Sequence, residues 1–182
     1  MHDGRLRIEQ ILQMFTGRDG EPGNAQETYI LKSMWLMMLS EFESSVKSLA
    51  EAYIDEVKRR DISDIHVCLL VRNFHGNTED ALTLNKVVAC YKRNPNEINY
   101  SNFTKDKVPK YKSAAVVKLF NNLGIFFTDI EEQSLAILNS IASTRDSIAH
   151  GDLGVQITKR ELENHLNDLE GLSLMLASKL TA

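Results

Sequence analysis

Covalent and metal staples are nearly absent from this sequence. Cys68 and Cys90 are its only cysteines, and they form no CxxC pair and no close Cys/His grouping. Neither a disulfide framework nor a zinc site is therefore indicated. The longest strongly apolar run, residues 34–39, falls far short of the roughly 20 residues that cross a bilayer. Asp3, Arg5, Arg7 and Glu9 leave the N-terminus without the apolar core of a secretory signal. A cytoplasmic protein with no membrane partner is expected. Proline is scarce, with three in 182 residues. None of them interrupts the most periodic stretches, which favours helices. Neither charge dominates: 21 Lys and Arg stand against 25 acidic residues, a net charge of −4. Any nucleic-acid-binding surface must then be local. P-loop, GxGxxG, HExxH and GxSxG signatures are missing, so no cofactor and no metal are expected.

What is present is helical periodicity. At roughly 150 residues per domain the length corresponds to about 1.2 domains. Residues 1–24 read as a short amphipathic helix (5–15) and a flexible loop with Gly17, Gly20, Pro22 and Gly23. Residues 25–182 read as the main helical domain. A long helix over 25–58 carries Leu31, Trp35, Leu39, Phe42, Val46, Leu49, Tyr53 and Val57 at steps of three and four. Residues 61–74 fit a short strand or a buried helical turn. Residues 78–91 look helical, and 93–108 form a polar loop. A helix over 110–123 ends at Gly124, a C′ glycine. Thr128 to Glu131 makes a capping box, opening a helix that should run to His150 and close at Gly151. Thr158 to Glu161 repeats the device before a stripe of Leu162, Leu166, Leu169, Ser173, Leu176 and Leu180. The expected fold is an all-α bundle of five to seven helices.

Five histidines are the scarce chemical resource. Three of them follow an arginine at closely similar spacing: Arg60 and His66, Arg145 and His150, Arg160 and His165. Nine arginines and five histidines in a chain of this length yield roughly 0.7 such pairs by chance over three allowed spacings. Spacing alone therefore selects none of them. Context selects Arg145-Asp146-Ser147-Ile148-Ala149-His150-Gly151, at the end of a long amphipathic helix. Arg160 and His165 begin a helix, where a surface role suffices.

This segment resembles the RNxIAHG signature of the HEPN superfamily, helical-bundle proteins that include many metal-independent RNases. Leu39-Ser40-Glu41-Phe42-Glu43-Ser44-Ser45-Val46-Lys47 is similar to a helix of the RiboL-PSP-like HEPN proteins. The similarity covers residues 25–53 and 111–182. Asp146 stands where Asn is commoner. Asp152 stands where one branch carries a modified Tyr, so that modification is not implied. The resemblance implies a metal-independent endoribonuclease of a toxin–antitoxin or antiviral defence system, a homodimer, and a possible cognate antitoxin. Arg145 would stabilise phosphoryl charge and His150 would move the proton. The alternatives are a non-catalytic HEPN module that binds RNA or a nucleotide, and a helical dimerisation domain.

The residues bear on this independently. Arg145 falls about 40° from the stripe Ile130, Ile137, Ile141 and Ile148 at 100° per residue. A guanidinium there needs a partner or water. Asp146 is a poor candidate, because neighbouring helix positions do not face each other. His150 lies about 140° round from Arg145 on an ideal helix. Convergence needs the helix to end between them or a second subunit to help. Asp146 shares a face with His150 and can orient its imidazole. Glu43 and Lys47 read either as a surface pair or as an auxiliary pair lining the cleft. Lys105, Lys107, Lys110, Tyr111 and Lys112 form a local basic cluster suited to RNA, or else a solvated loop.

Overall fold

The computed structural model describes residues 2–17, 20–59 and 111–181. They form six helical segments and no strand. We number them α1 (His2–Leu12), α2 (Ala25–Arg59), α3 (Ser113–Asn122), α4 (Asp129–Leu135), α5 (Ile137–Ala149) and α6 (Lys159–Thr181). The all-α expectation holds for these residues. The ambiguous stretch 61–74, the expected helix at 78–91 and the polar loop 93–108 lie outside them.

The long helix forms because its apolar positions recur every three or four residues. Leu31, Met34, Trp35, Met38, Leu39, Phe42, Val46, Ala50 and Ile54 are all buried. α2 packs against α6, α5 and α1 and is the spine of the core. From α6, Leu162, Leu166, Leu169 and Leu176 meet it, and Leu180 packs at the edge. Each fully buried side chain of this kind contributes about 1.5–3 kcal/mol. Ile8 and Leu12 of α1 belong to the same core. Trp35 joins three helices: its Nε1 donates to the Ile141 carbonyl at 3.1 Å, and its ring meets His165 edge-on at 5.2 Å.

The helix signals match the sequence at three places. Thr128 and Glu131 form the complete capping box of α4. Thr158 and Glu161 do the same at α6. Gly124 adopts φ +78° after α3. The described residues of the expected flexible loop, by contrast, are anchored. Glu27 accepts hydrogen bonds from the Thr16 amide and hydroxyl and from the Gly23 amide, and Lys159 N donates to the Gly20 carbonyl.

The expected single helix from Thr128 to His150 is two helices, broken at Ala136. There the backbone tightens, with Ala136 N donating to Gln133 O and Asn139 N to Ala136 O. The Ser134 and Ser140 hydroxyls bond back to the Ile130 and Ile137 carbonyls, a device that bends helices. The break rephases the apolar stripe. Ile130 is 76% exposed, while Leu135, Leu138, Ile141 and Ala142 are fully buried.

Candidate active site

α5 ends in a way that fixes His150. His150 occupies the C-cap (φ −81°, ψ 1°). Gly151 follows in the left-handed region at φ +79°. Gly151 N donates to Ile148 O, and Asp152 N donates to Ser147 O, each at 3.0 Å. This is the Schellman arrangement, which satisfies the last helix carbonyls. The helix therefore ends at the residue whose phase separated it from Arg145. His150 leaves the helical rotation and borders an open groove of about 470 Å³.

One wall of the groove is a polar face of α5: Asn139, Ser143, Asp146 and Ser147. Lys112, just before α3, and Asp152, after the cap, complete the lining with His150. Lys32 of α2 reaches the rim, its Nζ donating to the Asp152 carbonyl at 3.4 Å. His150 is exposed, and no side-chain hydrogen bond or ion pair holds its imidazole among the described residues.

Asp146 is the hub of the site. Its Oδ1 faces Arg145 Nη1 at 3.2 Å and accepts from the Tyr111 hydroxyl at 3.4 Å. Its Oδ2 faces Lys112 Nζ at 3.3 Å. The Arg145 guanidinium also lies over the Tyr111 ring, 5.3 Å from its centroid. Pairing of Arg145 with its sequence neighbour corrects the expectation that Asp146 is a poor partner. The rule that adjacent helix positions diverge describes Cβ directions, and the long Arg side chain folds back across it. Partial burial pushes the Asp146 carboxyl up, but hydrogen bonds from Lys112 and Arg145 hold it below its ordinary value. Burial pushes the Tyr111 hydroxyl up, against the nearby Arg145 charge.

The chain matches the RiboL-PSP-HEPN family model over residues 5–182. It belongs to that family. No curated protein and no solved structure matches it. The match takes in α1 and the whole span to the C-terminus, well beyond the two stretches whose similarity the sequence shows by eye. Family membership points to a ribonuclease or a nucleotide-related function.

Within this HEPN fold, the other expected site residues separate. Tyr111 and Lys112 join Arg145 and Asp146, whereas Lys105, Lys107 and Lys110 lie outside the described residues. Glu43 and Lys47 lie on α2 and are not among the groove's lining residues, and Lys47 pairs with Glu51 at 3.7 Å. Asp146 makes no side-chain hydrogen bond to His150, since both its oxygens face other donors. The competing motif has a structural setting: His165 Nδ1 lies 3.1 Å from Asp168 and its ring packs on Trp35. Among the described residues, no group of three or more His, Cys, Asp or Glu is placed to hold a metal ion, and no helix is long and apolar enough to cross a membrane.

Asn139, Ser143 and Ser147 escaped the sequence reading. Their signal was present: with His150 they recur at steps of four, four and three along α5, the mark of one helix face.

Proposed function

We propose that this HEPN protein is an endoribonuclease that cleaves RNA by 2′-OH attack, without a metal. The observation that carries this reading is one groove lined by an exposed imidazole, Lys112 and Asp146, with Arg145 held on that same Asp146. RNA supplies its own nucleophile. His150 takes the 2′-OH proton as the O2′–P bond forms, or protonates O5′ as the P–O5′ bond breaks. An imidazole titrates near neutrality and serves either duty. Water or the His150 of a second copy takes the complementary one. Arg145 and Lys112 stabilise charge growing on the phosphoryl oxygens, Arg through its planar fork. The products are a 2′,3′-cyclic phosphate and a 5′-hydroxyl. A defence or toxin–antitoxin role, with a cognate antitoxin, is the setting this chemistry suits.

The deciding experiment incubates purified protein with single-stranded RNA in EDTA and analyses the new ends. Cleavage that needs Mg²⁺ and ignores His150 overturns the mechanism. A second reading, a non-catalytic module that binds RNA or a nucleotide, is favoured by one feature. Arg145 lies over Tyr111 and is not among the groove's lining residues. RNA binding that depends on Arg145 without cleavage supports it.

A further inference from the structure

Lys112 and Arg145 converge on the two oxygens of one carboxylate, with the Tyr111 hydroxyl as a third donor. Two cations and a hydroxyl around two oxygens is a donor set that equally suits a phosphate. The contacts are loose: 3.2, 3.3 and 3.4 Å, against about 2.7–2.9 Å for strong charge-assisted bonds. The three charged side chains keep 34–46% of their surface in water, where ion pairs are weak and easily exchanged. The carboxylate also lies within the groove that His150 borders. We infer that Asp146 is a built-in stand-in for a phosphodiester: it gathers Lys112 and Arg145 in the free protein and yields them to an RNA phosphate beside His150.

This inference rests on the RNA-directed reading above, though not on catalysis. It makes Lys112 a phosphate-binding residue and Asp146 a positioning residue that opposes binding. Asp146 keeps the two cations a short distance apart, so the phosphate meets them already assembled. The same carboxylate competes with that phosphate for both. Stacking of Arg145 on Tyr111 holds one cation in place while the exchange occurs.

The test uses the full chain and a single-stranded oligomer of eight 2′-O-methyl nucleotides, which lacks the nucleophile and cannot be cut. Fluorescence anisotropy at fixed salt reads affinity, and a salt titration reads the number of phosphate contacts. Asp146→Asn keeps the shape and removes the competing charge, so binding should tighten roughly two- to fivefold, the scale of an exposed ion pair. Lys112→Met should weaken binding and flatten the log–log salt slope by about 0.7, the value for one phosphate contact on a single strand. A purely structural Lys112 would not change that slope. Asp146→Ala provides a second removal of the charge, and thermal melting checks that each variant is folded. Unchanged or weaker binding by both folded Asp146 variants overturns the inference, as does wild-type protein that does not bind the oligomer. Wild-type protein that binds it but leaves unmodified RNA intact overturns the ribonuclease reading alone.

Discussion

His150 and Arg145 have different kinds of freedom, and the difference predicts how their loss will read. The imidazole is exposed and attached to a rigid cap, so His150→Ala removes proton transfer and little else. Cleavage should fall on the order of 10²–10⁴-fold with an unchanged melting temperature. Arg145→Ala should cost a similar factor through lost charge stabilisation. It also frees Tyr111 and Asp146, and the lost Arg145–Asp146 ion pair is 34–38% exposed and thus worth about 1 kcal/mol or less. Glu43→Ala should cost less than either. Arg160→Ala and His165→Ala satisfy the same spacing and are the controls, and cleavage by folded protein should persist in both. Gel assays of RNA cleavage measure all five, and loss confined to the 160/165 pair would identify the wrong motif. At this scale the sequence was legible where chemistry is local. The Ile148-Ala149-His150-Gly151 context marks the histidine that the helix cap delivers to the groove. The Asp146 hub was not legible, because Tyr111 and Lys112 stand more than thirty positions before it and no periodicity links them.

Helix ends carry much of what sequence reading recovers, because caps are local hydrogen-bonding problems. Thr128 and Thr158 were visible as capping residues for that reason. The break at Ala136 was not visible: alanine is a good helix former, and only the flanking serine back-bonds mark the bend. Gly151 allows a direct test of the cap that positions His150. A Cβ there meets nothing within 4 Å, so only the left-handed φ of +79° opposes a side chain. Gly151→Ala should destabilise by roughly 1–2 kcal/mol and reduce cleavage by shifting His150, both measurable by thermal melts and single-turnover assays. Two other ends respond to acid. Hydrogen bonds from the Thr16 side chain, and then from the Thr16 and Gly23 amides, lower Glu27 to about 2 from an ordinary 4.5. Lys179 at 2.8 Å, then the Thr128 amide, lowers Glu131 to about 2. A depressed carboxyl stabilises the fold fully above its unfolded value and loses that contribution as pH falls through the folded one. Stability should therefore decline as pH drops from about 4.5 toward 2. Melting temperatures of Glu27→Gln and Glu131→Gln should show a smaller decline over that window, and parallel curves would refute the assignment.

At the scale of the whole molecule, the groove of one copy has one imidazole among its described lining residues, while 2′-OH attack with 5′-O departure uses both a proton acceptor and a proton donor. Ending the helix at His150 brings Asp146 and His150 to one groove, yet Arg145 remains over Tyr111. A second copy related by a two-fold axis near the cap would add a second His150 and a second Arg145 to the same cleft. The surface there has exposed apolar side chains. Leu153 is 83% exposed three residues beyond His150, and Tyr29 is 63% exposed on α2. Tyr29 lies one turn from Lys32, which reaches Asp152. Large apolar side chains left in water next to a site are candidates for burial by a partner. We propose that the protein is a homodimer through this face. Light scattering at tens of micromolar, where micromolar contacts are populated, should show twice the 20.6 kDa chain mass. Leu153→Asp should shift the protein toward monomer and lower cleavage together with dimer content, while leaving the melting of the monomer fold intact. Mixing inactive His150→Ala with inactive Arg145→Ala chains separates shared from independent sites. Restored cleavage in the mixture shows that each cleft draws on both copies. A wild-type monomer with full activity at those concentrations would sink the two-fold cleft and leave the groove to a single chain.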